Sequence, residues 1–170
     1  MQKAVVEEVL KTLNPLLKPA IGEIQLLPDA STSATMKVYF APLQDFQKIA
    51  RENNTTAEKG NLGLFWMFWD DKNVMSSTGV LLASDRLTGN ELKHSAFAMI
   101  TRSLGLAQHS DEFTDSIFYA RGSDGGSATQ PSALDLQLIQ WFHQNVSPGD
   151  NRKTLSAKFD ATWPKEGLTK

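Results

Sequence analysis

Residues 88–119, TGNELKHSAFAMITRSLGLAQHSDEFTDSIFY, constrain the fold more than any other stretch of the chain. Leu92, Ala96, Met99, Ile100 and Ser103 recur on one stripe, with Phe97 and Leu104 at its edges. That spacing predicts an amphipathic helix over residues 88–104. Thr88 and Glu91 have the spacing of a capping box, in which the hydroxyl accepts from the third backbone amide and the carboxylate reaches back. Gly105 supplies a residue able to enter a left-handed C-terminal cap. Residues 107–115 then read as a polar loop. A helix with one apolar stripe needs a layer to cover it, so the flanking segments have to supply that layer.

Those segments divide into helices and short strands. Val5, Val6, Val9, Leu10 and Leu13 predict a helix near residues 3–13, interrupted at Asn14-Pro15 with a continuation before Pro19. Residues 23–27 read as a short strand, and residues 31–33 as a loop. Residues 35–40 alternate and are rich in β-branched and aromatic side chains, so they read as a strand. Pro42 opens a helix with Leu43, Phe46, Ile49 and Ala50 on its apolar stripe. Residues 62–69 carry apolar residues at both parities, as in a strand buried on both faces. Residues 70–73 form a hairpin loop to a partner strand over residues 74–84. Residues 122–130 are rich in glycine and serine and read as a mobile loop. Ser132 and Asp135 form a second capping box, which opens a helix over residues 133–145 with Leu134, Leu138, Trp141 and Phe142 inward. Ser147-Pro148-Gly149 stops that helix.

The expected fold class is α+β (or α/β): one domain over residues 1–150, with a small mixed twisted sheet packed by the two helices at 88–104 and 133–145. Residues 151–170 form a C-terminal extension. It leans basic through Arg152, Lys153, Lys158, Lys165 and Lys170, and is expected to be a solvated tail.

Composition removes several function classes. The chain has 170 residues and no cysteine, so disulfides, thiolate metal sites and cysteine nucleophiles are excluded. A net charge of -2 gives no pull toward nucleic acid or an anionic membrane. No apolar run approaches the ~20 residues that span a bilayer, so no membrane insertion is expected. No signal peptide is visible at the N-terminus. Lack of cysteine suits an exported and a cytosolic protein equally.

Arg102-Ser103-Leu104-Gly105-Leu106, His109-Ser110, Ser116-Ile117-Phe118-Tyr119 and Leu134-Asp135 together resemble a metzincin of the matrixin type. In that family a helix carries His-Glu-x-x-His, continues as x-Leu-Gly-Leu-x-His-Ser, turns at Ser-Ile-Met-Tyr and ends on a Leu-x-x-x-Asp helix. Two histidines one turn apart face one zinc ion, the glutamate activates water, and the glycine turn brings in the third histidine. Here the first histidine falls on Ala98, the glutamate on Met99, the second histidine on Arg102, the third on Gln108 and the turn methionine on Phe118. Alanine and methionine offer a zinc ion no suitable ligand, and a protonated arginine repels it. The resemblance therefore implies a degenerate domain without catalytic residues, metal or cofactor.

The chain is also similar to an uncharacterised family of bacterial envelope proteins. The shared features are residues 102–106, Ser110-Asp111, Asp115-Ser116-Ile117-Phe118, Leu134-Asp135 and Pro148-Gly149. That family usually has acidic residues where this chain has Ala98 and Met99. The resemblance implies an exported or envelope location, with the leader absent from this chain.

Glu91, His94, Ala98 and Arg102 share the helix face that the peptidases use. With His109, Asp111 and Asp115 they make the candidate binding cleft. For Arg102, pairing with Asp111 or Asp115 as a loop anchor is favoured over binding of an external carboxylate. For His94 and His109, exposed or hydrogen-bonded roles are favoured over a metal site with Glu91 or Asp111. His143 near a helix end is expected to favour the helix dipole. Ser110, Asp111 and His109 are too close in one loop to act as nucleophile and base, and residues 122–126 lack the pattern of a phosphate loop. The aromatic strand at residues 64–69 is expected to be core rather than a ligand groove.

The expected function is a non-catalytic module that binds an extended peptide or a protein partner in the old substrate cleft by strand addition. Two alternatives stay open: a hydrolase with a rearranged site built from Glu91, His94, His109 and Asp111, and a structural domain of a larger assembly.

Overall fold

Asn14 sets the first departure from these expectations. Its side-chain amide donates to Ile24 O and its side-chain oxygen accepts from Ile24 N–H, both at 3.0 Å. Both backbone groups of Ile24 are thereby withdrawn from any ladder, so residues 23–27 are irregular rather than a strand. The first helix, α1, is continuous over Gln2–Ile21 and contains Pro15 and Pro19. Leu13 and Leu17, both fully buried, hold the turns on either side of Pro15 against the core. Packing thus outweighs the lost backbone bond at that proline. The computed structural model describes residues 2–27, 33–121 and 125–164.

Among the described residues the fold is α+β. β1 (Met36–Ala41) leads through a 3₁₀ turn (Leu43–Asp45) into α2 (Phe46–Glu52). β2 (Gly63–Trp69) and β3 (Met75–Ala83) follow, then α3 (Gly89–Ser103), α4 (Ala133–Asn145) and α5 (Arg152–Thr162). The sheet order is β1-β3-β2, with β1 parallel and β2 antiparallel to β3. The β2–β3 turn forms because Asp70 Oδ1 accepts from the amides of Lys72 and Val74, while Asn73 takes a left-handed φ of 59°.

Side-chain alternation puts Gly63, Phe65, Met67, Val80 and Leu82 on one face of the sheet and Leu64, Trp66, Gly79 and Leu81 on the other. The first face meets α3, since Met99 fills the space beside Gly63 and Thr78 Oγ1 lies 3.0 Å from Ser103 O. α1 packs on both α3 and α4, and Lys93 of α3 pairs with Glu8 of α1 at 2.9 Å. On the opposite face Tyr39 stacks on Trp66 and donates to Asn53 at the end of α2. The core therefore lies chiefly between the sheet and α1, α3 and α4, with Val9, Leu13, Leu17, Leu82, Ala96 and Ile100 fully buried.

Three further expectations are corrected. Thr88 makes no side-chain cap bond to α3. Gly89, at the first helical position, takes φ +49°, outside the right-handed helical region, so the threonine hydroxyl is not aligned with the third amide. β2 is not buried on both faces. It is an edge strand in which Trp66 alone is buried and Trp69 is 55% exposed. Residues 152–162 are not a solvated tail. They form α5, capped reciprocally by Asn151 and Thr154. Phe159 and Trp163 flanking the end of α5 pack on Trp141 of α4. Trp141 Nε1 donates to Thr162 at 2.8 Å, and Lys158 donates to the C-terminal carbonyl of Asn145 at 2.8 Å.

Candidate functional site

α3 presents His94, Ala98 and Arg102 at four-residue spacing, so they lie one above another on a single face. The surroundings of the three differ. His94 is 8% exposed. Its Nδ1 lies 2.8 Å from Ala128 O and its Nε2 lies 2.7 Å from Gly125 O. A neutral imidazole has one N–H and satisfies one of these carbonyls; only the doubly protonated ring donates to both. Either way, both ring nitrogens face carbonyl oxygens and neither is left for a metal. Residues 125–128, expected to be mobile, are pinned across α3 by these two contacts. A side chain at Gly126 would meet Tyr119 O at 3.0 Å and His94 Cε1 at 3.1 Å, so only glycine lets the segment lie this close. Residues 122–124 of that expected loop lie outside the described residues.

Ala98 is buried and fills the middle of the face. Arg102 lies beyond it, with its guanidinium carbon 5.9 Å from the centre of the Phe65 ring, in cation–π geometry. The expected pairing of Arg102 with Asp111 or Asp115 is not formed. Among the described residues no ion pair or hydrogen bond engages its guanidinium. Its Nε is sealed from solvent without an acceptor, and burial lowers its pKa from the ordinary value. Arginine nevertheless keeps its charge at neutral pH.

The remaining expected site residues do not converge on this face. Glu91, in the first turn of α3, is exposed. His109, Asp111 and Asp115 are exposed on the loop that follows the helix. That loop is closed by Ser110, whose amide donates to Phe118 O and whose carbonyl accepts from Ala120 N–H. Among the described residues no three histidine or carboxylate side chains gather at metal-binding distance. His143 differs from its expected role as a helix-dipole cation. Burial pushes its pKa down to about 4, and its Nε2 is enclosed without a partner, so it is neutral at neutral pH.

The backbone of β2 completes the site, and side-chain motifs alone did not point to it. Ala83 N–H donates to Leu62 O, and Thr78 N–H donates away from β2, to Thr35 O. Alternation from these two bonds turns the backbone groups of Leu64 and Trp66 toward β3 and those of Gly63, Phe65 and Met67 outward. Among the described residues nothing hydrogen-bonds these outward groups. Among the described residues, the arrangement is an unpaired strand edge with an unpaired guanidinium over the ring of its central residue, Phe65.

A separate groove lies beyond the β1 edge. It encloses about 970 Å³ between α1, residues 21–27, β1 and the start of β3. Its walls include Ile21, Leu26 and Leu27, each roughly half exposed, and none of the six expected site residues lines it.

No family model, no curated protein and no solved structure matches this chain.

Proposed function

We propose that this chain is a non-catalytic binding module that takes an extended segment of a peptide or protein partner onto the free edge of β2. One observation carries the reading: among the described residues, nothing hydrogen-bonds the outward N–H and C=O groups of Gly63, Phe65 and Met67. A strand edge in that state is a template for another chain, and main-chain bonds supply affinity with little dependence on sequence. The exposed indole of Trp69 extends the contact surface at one end of the strand.

The absence of catalysis rests on the α3 face. Where the metzincin-like resemblance calls for two histidines and a glutamate, the chain has Ala98, Arg102 and Met99. A rearranged hydrolase would need His94 as a ligand or base, and both its nitrogens are already against carbonyl oxygens. Descent from a metzincin-like domain, and work in a bacterial cell envelope, belong to the same proposal and rest on the motif resemblance.

Met67→Pro tests the reading directly. Proline at that position removes one outward N–H while leaving the bonds from β2 to β3 in place, as edge-strand prolines do. The variant is expected to keep its circular dichroism and melting profile and to lose binding of extended peptides. Unchanged peptide binding by a folded Met67→Pro protein would falsify strand addition on β2 and return the chain to the structural-domain alternative.

A further inference from the structure

Strand addition fixes more than the presence of a partner, because the edge has a register. Phe65 is the central outward-facing residue of β2, and its side chain lies on the α3 face. A residue of an added strand that hydrogen-bonds to Phe65 must place its side chain on that same face. Its Cα stands about 5.5 Å from that of Phe65. The Arg102 guanidinium already occupies the space over the Phe65 ring, 5.9 Å from its centre. An incoming side chain at this register therefore meets a cation that, among the described residues, no carboxylate neutralises.

The two flanking registers on this face differ from it. Opposite Gly63 the incoming side chain meets Met99, whose Cγ and Cε lie 3.4 Å from where a Gly63 side chain would begin. Opposite Met67 it meets a thioether. Both neighbours are apolar and polarisable, suited to aliphatic side chains. The face thus reads apolar, cationic, apolar at alternate positions.

Resting on the strand-addition reading, we infer that Arg102 is a specificity-determining residue, and that the bound segment carries one glutamate opposite Phe65, flanked two residues away on each side by aliphatic residues. Glutamate suits the position because its stem carries the carboxylate across the Phe65 ring, where the planar guanidinium can donate to it through two parallel bonds. The partial burial that leaves Nε without water strengthens the pairing relative to a surface ion pair.

The test uses two fluorescein-labelled, end-blocked heptapeptides: Thr-Val-Thr-Glu-Thr-Val-Thr, and the same sequence with glutamine at its centre. Each reads the same in both directions, so parallel and antiparallel addition present the same face. Fluorescence anisotropy against the full chain is expected to show the glutamate peptide binding about tenfold tighter. The preference should shrink as salt is raised. Arg102→Gln should abolish the preference, so that the two peptides bind with equal affinity. Arg102→Lys, which keeps the charge but not the fork, should retain part of it and guards against a folding defect in the glutamine variant. Equal binding of the two peptides by the unaltered chain overturns the role of Arg102 and leaves strand addition standing. Discrimination that survives in folded Arg102→Gln also overturns that role. Binding of neither peptide overturns strand addition itself, and this inference with it.

Discussion

Ser116 Oγ donates to Asp135 Oδ1 at 2.6 Å, and the other carboxylate oxygen accepts from the amides of Ile117 and Ser132 at 3.0 and 2.9 Å. One carboxylate, 3% exposed, thereby ties the turn after the α3 loop to the first turn of α4. Asp135→Ala would leave three donors without acceptors in a buried site. The expected loss is about 3 kcal/mol, with Asp135→Asn losing less because it keeps one oxygen. Urea denaturation at neutral pH measures both. A loss under about 1 kcal/mol for the alanine variant would mean that water replaces the carboxylate.

That knot also shows what the sequence could and could not reveal. Ser132 and Asp135 were legible as a capping box because the partners are three residues apart, and the cap is formed. The bond from Ser116 spans 19 residues and was visible only as two motif fragments. The helix at 89–103, the hairpin and the helix at 133–145 carried their own periodicity and turn residues. The strand expected at residues 23–27 failed because Asn14 claimed the backbone of Ile24, a contact across ten positions that no local pattern encodes. The aromatic density of residues 64–69 suggested burial on both faces, yet edge or centre is decided by strand order, which composition does not contain. Of the six expected site residues, Arg102 keeps a place in the proposed site and His94 turns out to be a clasp on residues 125–128.

Gly79 is a further point where two elements constrain each other. A side chain there would overlap the Trp66 indole, which crosses the β2–β3 pair at this register and stacks on Tyr39. Gly79→Ala must displace a buried ring, so it is expected to destabilise the protein by about 1–3 kcal/mol. Trp66→Leu in the same background should recover part of that loss, because the smaller side chain makes room. Thermal melts of the two single variants and the double variant decide it, and simple additivity would show that the indole is not the obstacle.

The C-terminal helix is held mainly by aromatic contact. Trp163 stacks on Phe159 with ring centres 4.6 Å apart, and both meet Trp141 edge-on at 6.1 and 5.1 Å. α5 has 11 residues, too few to stay helical in water without such docking. Trp163→Ala is expected to cost about 2–4 kcal/mol in the docking of α5. It should lower far-ultraviolet helicity and raise proteolysis within residues 152–162, while the rest of the chain stays folded. Undiminished protection of that segment would show that the Trp141–Thr162 and Lys158–Asn145 hydrogen bonds suffice to hold it.

His143 supplies a pH dependence whose sign follows from its burial. Desolvation pushes its pKa in the folded chain down to about 4 from the ordinary 6.5, and Nε2 is enclosed without a partner. Above pH 6.5 the ring is neutral in both states and contributes no slope. Between pH 6.5 and about 4 the unfolded chain binds a proton that the folded chain refuses, so stability falls as pH falls through that window. Below about 4 both states are protonated and the loss is complete. At about 1.4 kcal/mol per unit, the full effect is up to roughly 3 kcal/mol. His143→Phe removes the titrating group and replaces an unsatisfied nitrogen with carbon. It is expected to match or exceed the original stability at pH 7 and to flatten the slope between pH 6.5 and 4 in urea titrations. A slope identical in the two proteins would assign the acid sensitivity to other groups.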